Sequence, residues 1–181
     1  MKLWLALLLL AADDAPQKLK FNVEHLNLQT MKAAPLKAEE SKSFASELKE
    51  MEPIADATCT ESLVTVTLKP GASLKWTDMK ATGKKTLTYD GGKPVIVFNT
   101  LKVDGHVTLT LHVEKNPDKV AGALKALGFK DVTAEGDVYD CVVKTPVDIA
   151  TVVKAVCKKT GNDYKIFEIF KDCVWHAPAP K

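Results

Sequence analysis

Alternation between apolar and polar residues is clearest in the C-terminal half of the chain. From His106 to Val113 apolar residues occupy every second position, as in a strand with one buried face. A helix is predicted next, because apolar residues recur at helical spacing at Val120, Leu124 and Leu127. Gly128 follows as the expected helix stop. The pattern therefore predicts a half-buried strand followed by an amphipathic helix.

The same half continues with two strands, a second helix and a last strand. The strands are predicted at 131–135 and 138–144, and the last strand at 164–170. The second helix is predicted from a buried stripe at helical spacing, formed by Ile149, Val152, Val153 and Val156. The resulting order, βαββαβ, is that of a ferredoxin-like unit, whose sheet is covered by helices on one face. The other face can remain solvated.

The N-terminal half repeats this order less regularly. Its predicted elements are a strand at 19–26, a helix at 38–51, strands at 54–59 and 63–68, a short helix at 74–81 and a hairpin within 86–98. We therefore predict an α+β protein with two ferredoxin-like βαββαβ sandwiches in tandem. Their boundaries are 18–98 and 106–173, with a short linker between them. Residues 174–181 are predicted to form a disordered tail.

The N-terminus has the pattern of a secretory signal peptide. Lys2 is followed by about ten apolar residues, then small residues, and then Asp13. We predict a signal peptide at residues 1–12 and a secreted or periplasmic protein without a membrane segment after cleavage. The apolar run is too short to span a bilayer. A membrane anchor or a buried helix is the alternative interpretation of this run.

Charge and composition narrow the classes of partner. The formal net charge is +2, and all 25 basic residues are lysine. Arginine is the usual residue for bidentate recognition of phosphate, and a nucleic-acid-binding domain normally carries a basic patch. The sequence therefore predicts no nucleic-acid partner. An apolar fraction of 46% with 27% charged residues is typical of a globular protein.

Two segments resemble a known family. They are "ELKEMEPIADATCTESLVTVTLKPGA" and "VAGALKALGFKDVTAEGDVYDCVVKTPVDIATVVKAVCKKTG". Both are similar to the heavy-metal-associated domains of copper chaperones, copper-pumping ATPases and mercury-binding proteins, in a helix–strand–strand rhythm that covers roughly residues 18–170. The resemblance implies ferredoxin-like domains and a role in metal-ion binding or handling. Copper or zinc is implied as the ion by this resemblance alone.

The chain departs from that family at its metal-binding motif. The family places two cysteines, as C-x-x-C, between the first strand and the first helix, and their thiolates hold a soft ion. Here the corresponding positions are Lys37–Glu40 and Val113–Asn116, and neither contains a cysteine. Any ion must therefore have other ligands. The candidates in the first half are His25 and Met31, since imidazole and thioether both bind copper.

Two histidines of the second half share a predicted strand face. His106 and His112 are six residues apart, which corresponds to about 20 Å along a strand. They cannot bind the same ion, and each needs partners from neighbouring strands. Without such partners they are solvated imidazoles on the open face of the sheet.

The pairing of the four cysteines has to be considered if the protein is exported into an oxidising compartment, where disulfides form. Cys141 is predicted to point inward from its strand, and Cys157 lies at the edge of the helix stripe at a similar depth. The two are predicted to form a disulfide or to remain two buried thiols. Cys59 and Cys173 are either free or paired across the domain boundary.

Motifs of common enzymes are absent from the sequence. It has no phosphate-binding glycine loop, no G-x-S-x-G and no H-E-x-x-H. We predict that the protein is not an enzyme. The first hypothesis is an exported tandem protein that binds a metal ion with non-standard ligands, and the alternative is a metal-free protein–protein interaction module on the same scaffold. A small exported enzyme is the third hypothesis, which the absence of these motifs disfavours.

Overall fold

The computed structural model describes residues 17–27, 32–80, 92–97 and 100–180, and the side chains of 25–27, 33 and 92–97 are outside this description. The predicted signal peptide therefore lies outside the described residues. Within them the chain is a mixed α+β protein with two antiparallel sheets. This confirms the predicted fold class at the level of α+β.

The first sheet consists of five strands from the N-terminal half. They are β1 (Lys18–Asn27), β2 (Lys32–Pro35), β3 (Ile54–Thr60), β4 (Leu63–Leu68) and β6 (Gly92–Val97). β1 pairs with β4 along its first part and with β2 and β6 along its second part. β3 pairs with β4 at the edge. α1 (Ala38–Lys49) buries Phe44, Ala45 and Leu48.

The second sheet consists of β5 (Ser73–Lys75), β7 (Lys102–Leu111), β8 (Lys130–Glu135), β9 (Val138–Asp148) and β10 (Phe170–His176). Their order across the sheet is β5-β10-β7-β9-β8, and all pairs are antiparallel. Alternate residues of these strands are apolar and buried on one face of the sheet, as the two-residue period of a strand predicts. These include Val107, Leu109, Cys141 and Trp175.

The helices of the second half complete its core. They are α3 (Val120–Ala126), which follows a 3-10 turn at Pro117–Lys119, α4 (Ile149–Thr160) and the short α5 (Ile166–Ile169). The stripe predicted for α4 is buried in full. Gly161 ends α4 with φ 78°, a left-handed conformation that a glycine adopts at little cost.

Two predicted elements of the sequence are corrected by the structure. The helix predicted at 74–81 is split into the strand β5 and a short helix, α2 (Trp76–Met79). The last strand, predicted at 164–170, begins only at Phe170 and is preceded by α5. In both cases a single element is predicted for a short run of residues. Such runs are ambiguous between helix and strand until their partners are known.

The prediction of a disordered tail from residue 174 is wrong for residues 174–177. Val174, Trp175 and His176 continue β10, and Trp175 is fully buried. Beyond the strand, the backbone N–H of Ala177 donates to the carbonyl of Ala72, and that of Gly71 donates to the carbonyl of Pro178. Buried and exposed residues alternate to the end of β10, so this part of the chain belongs to the folded domain.

Strand pairing and hydrogen bonds connect the N-terminal half to the C-terminal half. β5 belongs by sequence to the N-terminal half but pairs with β10 at the edge of the second sheet. The Gln17 side-chain amide donates to the backbone carbonyl of Asp104 at 3.0 Å and to its carboxylate at 2.6 Å. The backbone N–H of Asn22 donates to Thr100 Oγ1 at 2.9 Å. Buried residues of both halves form one continuous apolar core.

Candidate metal centre on the open face of the second sheet

Polar side chains from four strands lie together on the exposed face of the second sheet. His106 on β7 pairs with His176 on β10, and Thr108 on β7 pairs with Asp140 on β9. Ser73 on β5 pairs with His176 from the other side. Directly paired residues point to the same face with their Cβ atoms about 5 Å apart. The strand register therefore brings these side chains within reach of one another.

Hydrogen bonds connect the polar side chains. His106 Nε2 lies 2.9 Å and 3.1 Å from the two carboxylate oxygens of Asp140. Thr108 Oγ1 donates to Asp140 Oδ1 at 2.8 Å and lies 2.8 Å from His176 Nε2. Ser73 Oγ lies 2.8 Å from His176 Nδ1. The rings of His106 and His176 lie next to each other, with centroids 4.5 Å apart and planes tilted by 36°.

Three of these residues form a set of metal-ligand type, which we call the His–Asp cluster: His106, Asp140 and His176. One ligand atom from each lies within 4.8 Å of the other two. Zinc binds nitrogen and oxygen ligands at about 2.0–2.2 Å, so neighbouring ligands of a tetrahedral ion are about 3.3 Å apart. The three atoms are therefore within range of a shared ion, although their present spacing is that of a hydrogen-bonded cluster.

The charge states of the cluster suit a cation. Burial raises the pKa of Asp140, but hydrogen bonds from Thr108 and His106 and the charges of His106 and His176 outweigh burial and hold it below its usual value. Burial and repulsion by His106 lower the pKa of His176, against the attraction of Asp140. An ionised carboxylate and a neutral imidazole are the forms that bind metal ions.

The candidate ligands of the first half, His25 and Met31, are not tested by the structure. His25 lies in β1, with a side chain outside the described residues, and Met31 is itself outside them. The proposal that these two residues bind an ion therefore stays a prediction.

The loop that corresponds to the metal motif of the resembled family is held by amide hydrogen bonds. The backbone N–H of Lys115 donates to Asn162 Oδ1 at 3.2 Å, and Asn162 Nδ2 donates to the carbonyl of Lys115 at 3.0 Å. Asn116 Nδ2 donates to the carbonyl of Thr160 at 2.8 Å. These contacts tie the loop before α3 to the end of α4.

His106 and His112 lie in different environments. His112 Nδ1 lies 2.7 Å from Asp137 Oδ2, beyond the end of β7. His106 has Asp140 on the neighbouring strand and His176 on the opposite one. His106 is exposed on the open face of the sheet, as expected for a solvated imidazole, and it also has partners on both neighbouring strands. The partners from neighbouring strands that an ion requires are present at His106.

The four cysteines are free thiols in this structure. Cys141 Sγ donates to the carbonyl of Val107 at 3.6 Å, and Cys157 Sγ donates to the carbonyl of Asp163 at 3.4 Å. Burial, with a contribution from the charge of Asp140, raises the pKa of Cys141 to about 12. The disulfide between Cys141 and Cys157 stays a prediction, which a count of free thiols in the unfolded protein tests.

Sequence reasoning missed two members of the His–Asp cluster. His176 fell in the segment predicted as a disordered tail, and Asp140 was assigned only as a polar position of a strand. The signal for His176 was the alternation of Cys173 and Trp175 with Asp172, Val174 and His176, which indicates a strand with one buried face.

Comparisons with known proteins do not assign the chain to a family. No family model, no curated protein and no solved structure matches it. Among the described residues, the helices are too short or too polar to span a membrane. Evidence about function therefore comes from the His–Asp cluster and its surroundings.

Proposed function

We propose that this protein binds a divalent transition-metal ion at the His–Asp cluster on the open face of its second sheet. The observation that carries the proposal is the convergence of ligand atoms of His106, Asp140 and His176, from three adjacent strands, within 4.8 Å of one another. The proposed activity is ion capture, with no chemistry on a substrate.

The ligand types favour Zn(II) or Cu(II) over Cu(I). Two imidazoles and a carboxylate suit zinc and divalent copper, whereas Cu(I) prefers thiolate and thioether ligands. Cys141 and Cys173 lie on the opposite, buried face of the same sheet. Three protein ligands leave a fourth position of a tetrahedral ion for water or for a group from another molecule. An exposed site of this kind suits reversible handling of the ion.

The scaffold that we propose is a pair of ferredoxin-like units related to heavy-metal-associated domains. Support comes from the strand order β10-β7-β9-β8 in the second sheet, with α3 and α4 in the two crossover positions. In the first sheet β6, β1, β4 and β3 pair in the corresponding order. The metal site would then be on the sheet face, away from the family's loop. We also propose export, on the basis of the N-terminal pattern.

Isothermal titration of the purified, metal-free protein with Zn(II) and Cu(II) tests the metal proposal. The wild-type protein is expected to bind one ion at this site. His176→Ala and Asp140→Ala each remove a ligand and are expected to weaken binding more than about 100-fold. This exceeds the 10- to 100-fold cost of changing a residue outside the ligand set.

The matched control is His112→Ala. His112 is a histidine from the same region of the chain, half exposed and bonded to an aspartate, as His106 is. It lies outside the cluster, so its removal is expected to leave the affinity unchanged. Equal affinities for the wild type, His176→Ala and Asp140→Ala would contradict the proposed site. Loss on His112→Ala alone would move the site to the other end of β7.

The alternative is a metal-free protein–protein interaction module on the same scaffold. Two exposed aromatic side chains favour it, since Phe167 in α5 is 75% exposed and Tyr164, just before α5, is 48% exposed. Aromatic residues are enriched at the centres of protein interfaces. The titration separates the two functions, because a wild-type protein that binds no ion leaves the interaction module as the remaining proposal.

A further inference from the structure

β5 brings a residue of the N-terminal half to the edge of the His–Asp cluster. The strand pairs with β10, and this register places Ser73 opposite His176. Thr77, two residues after β5, donates its backbone N–H and its hydroxyl to the carboxylate of Asp172 at 3.2 Å and 3.0 Å. β5 is therefore held by its ladder with β10, by Thr77 and by the contact of Ser73 with a ligand.

The hydrogen bonds assign the protons on His176. Thr108 has one hydroxyl proton and donates it to Asp140. Its oxygen therefore accepts from His176 Nε2, 2.8 Å away. In the neutral ring Nδ1 then carries no proton and accepts from the hydroxyl of Ser73, also at 2.8 Å. The two ring nitrogens thus contact two hydroxyl groups on opposite sides.

An ion at the cluster must bind Nε2, the nitrogen of His176 that lies toward Thr108 and Asp140. The ring stays neutral if its proton is held on Nδ1 instead, which is a change of tautomer without gain or loss of charge. Nδ1–H then donates to Ser73 Oγ. Metal-bound histidines usually donate their second ring N–H to such a partner, which fixes the tautomer and the ring orientation.

We propose that Ser73 is the positioning residue for His176, and that an ion at the cluster and the docking of β5 stabilise each other through this contact. The inference rests on the proposed metal site and adds its regulation by the N-terminal half. Linkage requires the effect to be reciprocal, because any free energy by which the ion strengthens the docking of β5 also strengthens ion binding.

Ser73→Ala and Ser73→Thr separate this role from a general effect on folding. Ser73→Ala removes the acceptor and is expected to weaken Zn(II) binding about 10- to 100-fold, the range found for partners of metal-bound histidines. Ser73→Thr keeps a hydroxyl and is expected to retain most of the affinity. The control Thr77→Val loosens the same segment without a contact to His176, so its Zn(II) affinity should fall less than that of Ser73→Ala.

Hydrogen exchange tests the coupling directly, because a purely structural role of Ser73 would not make exchange of β5 depend on Zn(II). Zn(II) is expected to slow exchange of the Ser73–Lys75 amides in the wild type and not in Ser73→Ala. If Zn(II) binds the wild type and Ser73→Ala equally, with no change in exchange, the role of Ser73 is overturned and the metal site stands. If the wild type binds no Zn(II), both the site and the role of Ser73 are overturned.

Discussion

His176 contacts a hydroxyl group at each of its ring nitrogens and lies beside a second imidazole ring. Burial and the neighbouring His106 disfavour its charged form, while the carboxylate of Asp140 favours it. The balance lowers the pKa of His176, so the ring remains neutral to a lower pH than an ordinary histidine. A proton therefore competes with a metal ion for this ring only at more acidic pH.

The titration of His176 is the first testable consequence. Its midpoint, followed by NMR of the imidazole resonances, is expected below the ordinary value of 6.5. In Asp140→Asn the attraction of the carboxylate is lost, so the pKa of His176 should fall further. Asp137→Asn, which removes the partner of His112 instead, should leave the titration of His176 unchanged. A midpoint that rises in Asp140→Asn would contradict this account of the electrostatics.

The sequence predicted the environment of some single residues correctly and missed that of others. The inward direction of Cys141 and the buried stripe of α4 were correct, because each depends on the period of one element. The partners of His106 were not predicted. Asp140 lies 34 positions from His106, and His176 lies 68 positions from Thr108. Contacts over such distances depend on strand order and register, which a single strand does not encode.

At the scale of elements, the start of β7 is shaped by contact with the N-terminal half. Gly105 has φ +68°, and a Cβ placed on it would collide with the side-chain amide of Gln17. The register of β7 against β9 shifts between Val103 and Gly105, and Pro146 falls in the unpaired part of β9. Proline is tolerated in a sheet at such irregular positions, because it has no N–H for the ladder.

Gly105→Ala is expected to destabilise the protein for two separate reasons. An alanine in the left-handed region costs about 1–2 kcal/mol, and the collision with Gln17 adds to this cost. Gly136→Ala is the matched control, because Gly136 has φ +57° and open space around its Cβ position. Urea unfolding should give a larger loss for Gly105→Ala than for Gly136→Ala.

A second background isolates the steric part of this cost. In Gln17→Ala the colliding side chain is gone, so the further change Gly105→Ala should cost about the same as Gly136→Ala. If Gly105→Ala costs as much in the Gln17→Ala background as in the wild type, the collision with Gln17 makes no contribution and the interpretation fails.

At the scale of the whole molecule, Gln17 and Asp104 join the two halves. The carboxyl group of Asp104 is partly buried, and burial raises its pKa, although the hydrogen bond from Gln17 acts in the opposite direction. The folded state therefore holds this proton more tightly than the unfolded chain. Asp104 therefore stabilises the folded state fully at pH values below its ordinary pKa of 3.8. This stabilisation is lost as the pH rises through the raised pKa of the folded state.

Asp104→Asn removes the ionisation and keeps an oxygen that can accept from Gln17. The free energy of unfolding of the variant, relative to that of the wild type, is expected to increase between pH 3 and pH 7. Asp56→Asn is a control of opposite sign, because a hydrogen bond and charge attraction from Lys49 lower the pKa of Asp56. Its relative stability should fall slightly over the same range. Urea unfolding at both pH values measures the changes, and a decrease for Asp104→Asn would contradict the prediction.

The sequence by itself determined the α+β class, the half-buried strand at β7, the helix α4 and the absence of a C-x-x-C pair. These features follow from local periodicity and from the presence or absence of particular residues. The tertiary structure alone decided that β5 crosses to the second sheet and that His176 lies beside His106 and Asp140. The physical reason is that the period of a strand selects the face of each side chain, whereas register and strand order select its neighbours.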